Sequence, residues 1–545
     1  MVSAAIRFAS FRRFGVARFA LLAILALWMS WSKGLAGADP TSLKPLAATA
    51  IFFGGYAILI FGLRGWGSLA CRRAQEESPR SLDRFHRAMH FSRLLIPAWL
   101  GVGIYVLNWG EIVHSVVPGL YRWPSAGMHL ELPQALLGTL PAMIAWVGLW
   151  WSQFPVERSL REQSVLVNLN DDLPVHAPPT FWETVDANFR LQIAFTLVPV
   201  IFILVLRDLA VIALGLSGLK NGKGIEDAVM LPATLLVILL APELLRRVLR
   251  TEKMADTPLR RRLDAMCRAA NLGYRDILLW RTDCSMGNAA VMGLFARVRY
   301  VMLSDLLLET MTDQQIEAVF AHELGHVVHK HLWWFIVFVG IAMLFMMGPG
   351  DQVMTHVQNW YVTTRHHSQD SWDKIEGLIG TILFFGSFVL AFGFLSPRFE
   401  RQADVYAART MEKGARNAVQ VNTLPPETNV AGLPRGELIL SRSHVGEYGA
   451  AVFAAALYRV AIINHMPVAA RNWSHGSIAQ RMRALHEMSA DPLRTNRFDR
   501  TMTRLYLGLT ACLVIFGFWA LVQMSRDPVS RVPQPGMRMI EPSRR

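Results

Sequence analysis

Apolar and polar positions alternate along this chain on two scales. On the long scale, almost uncharged apolar stretches recur, each of a length that can cross the ~30 Å hydrocarbon core of a bilayer as a helix. Nine can be delimited, at about 15–32, 45–63, 94–110, 134–152, 191–206, 228–245, 332–348, 377–395 and 504–523. The fifth resumes at 209–216 after Arg207 and Asp208, so it reads as either a longer span or a broken one. Trp150, Trp151, Trp333 and Trp334 sit near span ends, where amphipathic rings anchor at the interface.

On the short scale, two polar segments flank the pair of spans at 332–348 and 377–395. The first, 246–331, opens with a basic amphipathic helix around 258–270. Strand-like runs follow at Asp276–Trp280, Asn288–Val291 and Tyr300–Leu303, punctuated by Gly273, Gly287 and Gly293. A helix then starts near Thr312, with Gln315 three residues on, the pattern of a capping box. The second segment, 396–503, predicts a helix through 398–411, a long loop over 413–436, and helices at 446–464 and 477–488. The fold class expected is therefore mainly α: a polytopic membrane protein with about nine transmembrane helices and a small α+β domain. Three regions follow: 1–245 with about six spans, 246–503 interrupted by two spans, and 504–545 with the last span and a tail.

Composition agrees with a membrane protein: 52% of residues are apolar and only 18% charged. The net charge of +14 would suggest nucleic acid in a soluble protein. Here the positive charge lies largely in loops beside apolar runs, so a bilayer explains it and no nucleic-acid partner is expected. Seven arginines in 64–93, against Arg122 alone in 108–133, place the N-terminus, 64–93, 246–331 and 396–503 on the cytoplasmic side. The expected location is a multi-pass protein of a bacterial inner membrane. Ala36-Gly37-Ala38 resembles a signal-peptide cleavage site, so 1–38 reads as a first span or a signal. The cysteines, Cys71, Cys267, Cys284 and Cys512, form no CxxC pair and read as isolated thiols.

The chemistry concentrates at His322-Glu323-Leu324-Gly325-His326. Two histidines four apart on a helix are only ~40° apart around its axis, so they can offer two imidazole nitrogens to one zinc ion. Glu323 is then placed to take a proton from water at that ion. A catalytic zinc usually has three protein ligands. Glu400 is the candidate third ligand, and Asp404, one turn further on the same helical face, can orient a ligand histidine. His331, nine residues beyond His322, falls nearly opposite it on a continuous helix. It is expected to be an interfacial polar residue, as is His329.

These residues, with Asp256-Thr257-Pro258-Leu259, Asn288-Ala289, His331, Ala403 and Ser474-His475-Gly476-Ser477 leading to Arg481, resemble the membrane-embedded zinc metallopeptidases of the CaaX prenyl endopeptidase and HtpX type. The resemblance covers roughly 250–490 and departs from the usual pattern at Pro397, Arg401 and Gly476. It implies a gluzincin-type peptidase domain with one Zn2+ per chain, held by His322, His326 and Glu400. It implies that Glu323, Asp404 and His475 are catalytic, His475 donating to the oxyanion. It also implies that Asn288 and Ala289 lie on an edge strand pairing with substrate. Its substrates would be membrane proteins or peptides reached from the cytoplasmic face, with quality control favoured over prenyl processing. Oligomeric state does not follow.

Two other readings meet obstacles in the sequence. An intramembrane site-2-type protease would bury the zinc helix in the bilayer, but Asp313, Gln314, Gln315 and Glu317 precede His322. A membrane scaffold or transporter with a structural zinc would favour four closed protein ligands and has no use for Glu323.

Overall fold

The computed structural model describes residues 20–28, 44–76, 80–120, 130–170, 175–217, 222–364, 369–423, 445–464, 466, 468–469 and 476–526. Helices dominate. Among the described residues, five are long and apolar enough to cross a membrane: Pro45–Arg72, Glu131–Ser159, Phe181–Ala213, His331–Thr363 and Pro492–Gln523. A bent pair, Arg87–Tyr105 with Trp109–Val116, makes a sixth if it forms one span. Of the nine expected, that at 15–32 is described only over 20–28, which is helical. Those at 228–245 and 377–395 are helical, within Gly222–Val248 and Gln369–Thr423, with part of their side chains outside what is described.

Arg207 and Asp208 do not break the fifth span. A π-helical turn at Phe189–Ala194 joins Phe181–Asn188 to Phe195–Ser217, and Asp208 is buried within this last helix. Its carboxylate accepts the backbone N–H groups of Glu131 and Leu132, each at 2.9 Å. It thus caps the helix Glu131–Asn170, whose first N–H groups have no partner within the helix.

The segment after Val248 builds a four-stranded mixed sheet from β1 (Thr251–Lys253), β2 (Asp276–Trp280), β3 (Ala289–Met292) and β4 (Tyr300–Ser304), in the order β1-β2-β4-β3. β2 and β4 run parallel and the other pairs antiparallel. Side chains alternate faces along a strand. Ile277, Val301 and Leu303 therefore enter one core, while Leu278, Trp280, Tyr300 and Met302 pack with Leu249 on the other side. Helix α1 (Pro258–Ala269) starts on the Thr257 cap and sends Leu263 and Cys267 into the first core. Helix α2 (Asp305–Thr310) follows β4 directly and leads into α3 (Asp313–Val328).

The expected capping box is formed at α3. Thr312 Oγ1 accepts the Gln315 N–H at 3.3 Å, and Gln315 Oε1 accepts the Thr312 N–H at 3.2 Å. Ile316, Phe320 and Leu324 bury one stripe of α3 at helical spacing. Helix α4 (His331–Phe345) follows a sharp break. Helix α5 runs unbroken over Gln369–Thr423, so an expected span and the helix at 398–411 are one element. It also extends into the loop expected over 413–436: Gly414 is absorbed, and the helix ends two residues before Pro425. The remainder of that loop, 424–436, lies outside the described residues. Helices α6 (Glu447–Ile463), α7 (Ile478–Ala490) and α8 (Pro492–Arg526) follow.

Candidate metal centre

Two helices set the site: α3, with His322, Glu323 and His326, and α5, with Glu400 and Asp404. Their backbones come close because Gly325 lies at the crossing. A Cβ there would stand 3.0 Å from the Ala403 Cα and 3.2 Å from the Tyr406 Cβ. Glycine facing a fully buried alanine lets one turn of each helix interlock. That crossing brings the polar faces of the two turns together.

His322 Nε2 lies 3.2 Å from His326 Nε2 and 3.5 Å from Glu400 Oε2, and His326 Nε2 lies 3.6 Å from Glu400 Oε1. A tetrahedral zinc with N and O ligands at ~2.0–2.2 Å requires donor separations of about 3.3–3.6 Å. The three donors could hold such an ion, and no fourth His, Cys, Asp or Glu joins them among the described residues, which leaves a position open.

Further residues orient these donors. His322 Nδ1 lies 3.0 Å from Asp404 Oδ1, and its ring stacks on Phe453 with centroids 5.5 Å apart. This fixes the ring with Nε2 toward Glu400. Asp404 is buried with Arg481, whose Nε donates to Oδ2 at 2.9 Å and whose Nη2 donates to Oδ1 at 2.5 Å. Arg481 Nη1 is also 3.5 Å from Glu400 Oε2. Burial alone would raise the Asp404 carboxyl, but Arg481 and His322 hold it below its ordinary value. Burial likewise pulls His322 down, yet the Asp404 and Glu400 carboxylates prevail and raise it to about 9. Arg481 carries no assigned role in the sequence reading. It lies 77 positions from Asp404, and only the fold joins them. Ser477 starts its helix through a capping box with Gln480. Gly476, where the resemblance expects proline, has φ +73°, which proline's ring forbids.

His331 corrects an expectation. It is buried, at 2% exposure, not interfacial. The helix breaks at Lys330, which takes a left-handed conformation with φ 56°, so phase counted from His322 no longer holds. The break swings His331 back toward the site. Its Nδ1 lies 2.9 Å from His326 Nδ1, its Nε2 lies 2.9 Å from Gln402 Oε1, and its ring stacks on Phe399.

Ala289 opens β3, which among the described residues is an edge strand paired with β4 alone. Just before it, Asn288 exchanges hydrogen bonds with Ser304: its N–H donates to the hydroxyl at 2.8 Å and its carbonyl accepts the backbone N–H at 2.9 Å. Asn464 clamps Gly287 from α6. His475 lies outside the described residues. A second group of metal-capable side chains, His176, Cys284 and Glu309, gathers at the surface. His176 Nε2 is 3.3 Å and Cys284 Sγ 3.2 Å from Glu309 Oε2.

Residues 253–489 match the model of Peptidase family M48. A CAAX prenyl protease 1 homolog of Arabidopsis thaliana is 27% identical over 165 residues, which are 29% of this chain and 37% of that protein. The match thus spans little more than a third of the relative's length. The crystal structure of S. mikatae Ste24p aligns over 86% of this chain and 97% of that one, at 14% identity and a TM-score of 0.41.

Proposed function

We propose that residues 253–489, which match the model of Peptidase family M48, form a metalloendopeptidase domain in a chain with helices long and apolar enough to cross a membrane, and that it hydrolyses peptide bonds of membrane-associated proteins or peptides at one zinc. The observation that carries this reading is the near-tetrahedral spacing of His322, His326 and Glu400, with Glu323 beside His322. Three donors with an open position suit catalysis better than a closed structural site.

When bound, zinc supplies Lewis acidity toward water and the scissile carbonyl. His322, His326 and Glu400 would hold it. The Asp404 carboxylate, 3.0 Å from His322 Nδ1, attracts a proton to that nitrogen and so favours the tautomer that leaves Nε2 to bind. Arg481 balances the negative charge of Asp404 and Glu400. Glu323 accepts the proton of the attacking water and hands it to the departing amine. His475 donates a hydrogen bond to the oxygen that gains charge at the scissile carbon. The free edge of β3, entered through Asn288 and Ala289, adds the substrate as a further strand and so favours extended, unfolded segments.

The proposed arrangement in the membrane has about six spans over 1–245, two interrupting a catalytic region over 246–503, and one in 504–545. The site faces the cytoplasm of a bacterial inner membrane, as the arginine-rich loops suggest. The test compares wild type with Glu323→Gln in bound zinc and in cleavage of an unstructured, membrane-tethered reporter. Both should retain zinc, and cleavage should fall at least about 10²-fold in the variant, the scale of a lost general base. Equal cleavage, or no zinc in either protein, rules the reading out.

A further inference from the structure

We infer that His331 is a positioning residue for His326, the middle link of a hydrogen-bond chain that joins the metal centre to the C-terminal helix. This rests on the reading of His326 as a zinc ligand. His326 turns Nε2 toward His322 and Glu400, so its metal-binding lone pair is on Nε2 and its ring proton on Nδ1. That N–H, 2.9 Å from His331 Nδ1, has its acceptor there when His331 carries its own proton on Nε2. His331 Nε2 then donates to Gln402 Oε1 at 2.9 Å. Tyr506, on α8, donates its hydroxyl to the same amide oxygen at 2.5 Å. Each link now has one donor and one acceptor, and this order leaves no nitrogen of either ring without a role.

Packing holds the chain in register. The His331 ring lies parallel to Phe399, 2° between planes and 4.4 Å between centroids. Phe399 and Gln402 flank Glu400 on one turn of α5, so the turn that supplies one metal ligand also fixes the orientation of another. Tyr506 is in turn stacked on Trp334, at 4.5 Å. A buried imidazole with both nitrogens bonded to a ligand histidine and a fixed amide gives His326 a single ring orientation, as a carboxylate does for other zinc histidines. His322 has Asp404 for this purpose. His326 has His331.

The test measures zinc affinity of the full-length protein by chelator competition, the visible absorption of its cobalt form, and melting of the metal-free protein. His331→Phe keeps the stacking surface but removes the acceptor. It should weaken zinc binding about 10–100-fold and change the cobalt band, with metal-free melting unchanged. His331→Asn puts an amide oxygen near the place of Nδ1 and should restore affinity to within a few-fold of wild type. Tyr506→Phe should have a smaller effect, under about tenfold. If His331→Phe does not fold, Gln402→Met carries the same expectation of weakened binding, because it removes the acceptor of the next link. Wild-type affinity in His331→Phe overturns the inference, as does His331→Asn binding as weakly as His331→Phe. A wild type that binds no zinc contradicts the metal-site reading itself, a separate outcome.

Discussion

His322, His326 and Glu400 bring three donor atoms within reach of one ion, and so do His176, Cys284 and Glu309. The spacings overlap, between 3.2 and 3.6 Å in one group and 3.2 and 3.3 Å for the measured pairs in the other. The surroundings do not. In the first group the side chains are 8–26% exposed, and each histidine is held from behind, by Asp404 or His331. In the second, His176 and Glu309 are 37% and 42% exposed. Cys284 donates its S–H to Glu309, and burial followed by that hydrogen bond pushes its thiol up to about 12, so it stays protonated at neutral pH. Proximity of donors is thus common to both. Pre-oriented donors in a buried frame belong to one, and that is the difference between a grouping and a site.

The largest effects should separate the two groups. His326→Ala or Glu400→Gln is expected to reduce both bound zinc and cleavage to background, because two ligands do not hold a catalytic zinc. Cys284→Ser and His176→Ala should leave both unchanged, read by elemental analysis and reporter cleavage. Loss of zinc in Cys284→Ser would erase the distinction.

A smaller effect comes from pH. In the metal-free chain His322 is raised to about 9, so below that value zinc must displace its proton. Apparent zinc affinity should fall roughly tenfold for each pH unit, about 100-fold from pH 8 to pH 6. The stability of the metal-free fold moves the other way. The folded value lies above the ordinary 6.5, so His322's contribution is fully present below about pH 6.5 and is lost as pH rises through 9. Competition titrations at several pH values and melting of the metal-free protein check both signs; a zinc affinity flat from pH 6 to 8 contradicts them.

The smallest concerns the frame. Gly325→Ala places a Cβ 3.0 Å from the Ala403 backbone, so α3 and α5 must part by a few tenths of an ångström. The expected cost is about 1–3 kcal/mol of stability, seen in denaturant unfolding, with weakened zinc binding. The exposed group, which lacks such a crossing, should not respond.

Much of the metal centre is legible in the sequence because its pieces are local: His322 and His326 share one helical face, Glu400 and Asp404 another, and the Thr312–Gln315 box marks where the first helix begins. The strands near 276, 289 and 300 are also legible, from β-branched and apolar runs between glycines. β1, only three residues long, offers no such pattern. His331 was hidden by the left-handed Lys330, which resets the helix phase and leaves no trace in a periodicity. Arg481 stands within a recognisable motif, but its pairing with Asp404 is set by the tertiary fold. The end of α5 lies beyond the expected 411 because a Pro/Asn/Gly-rich stretch from 413 reads as a loop, although a single glycine such as Gly414 costs a helix only about 1 kcal/mol.

The most direct measurement is a zinc titration of metal-free protein with reporter cleavage followed at each addition. Cleavage should be absent at the start, rise linearly and level off at one equivalent, and Glu323→Gln should take up the same single equivalent without cleaving. Cleavage by the metal-free protein, or a requirement for two equivalents, would contradict a single zinc acting between His322, His326 and Glu400.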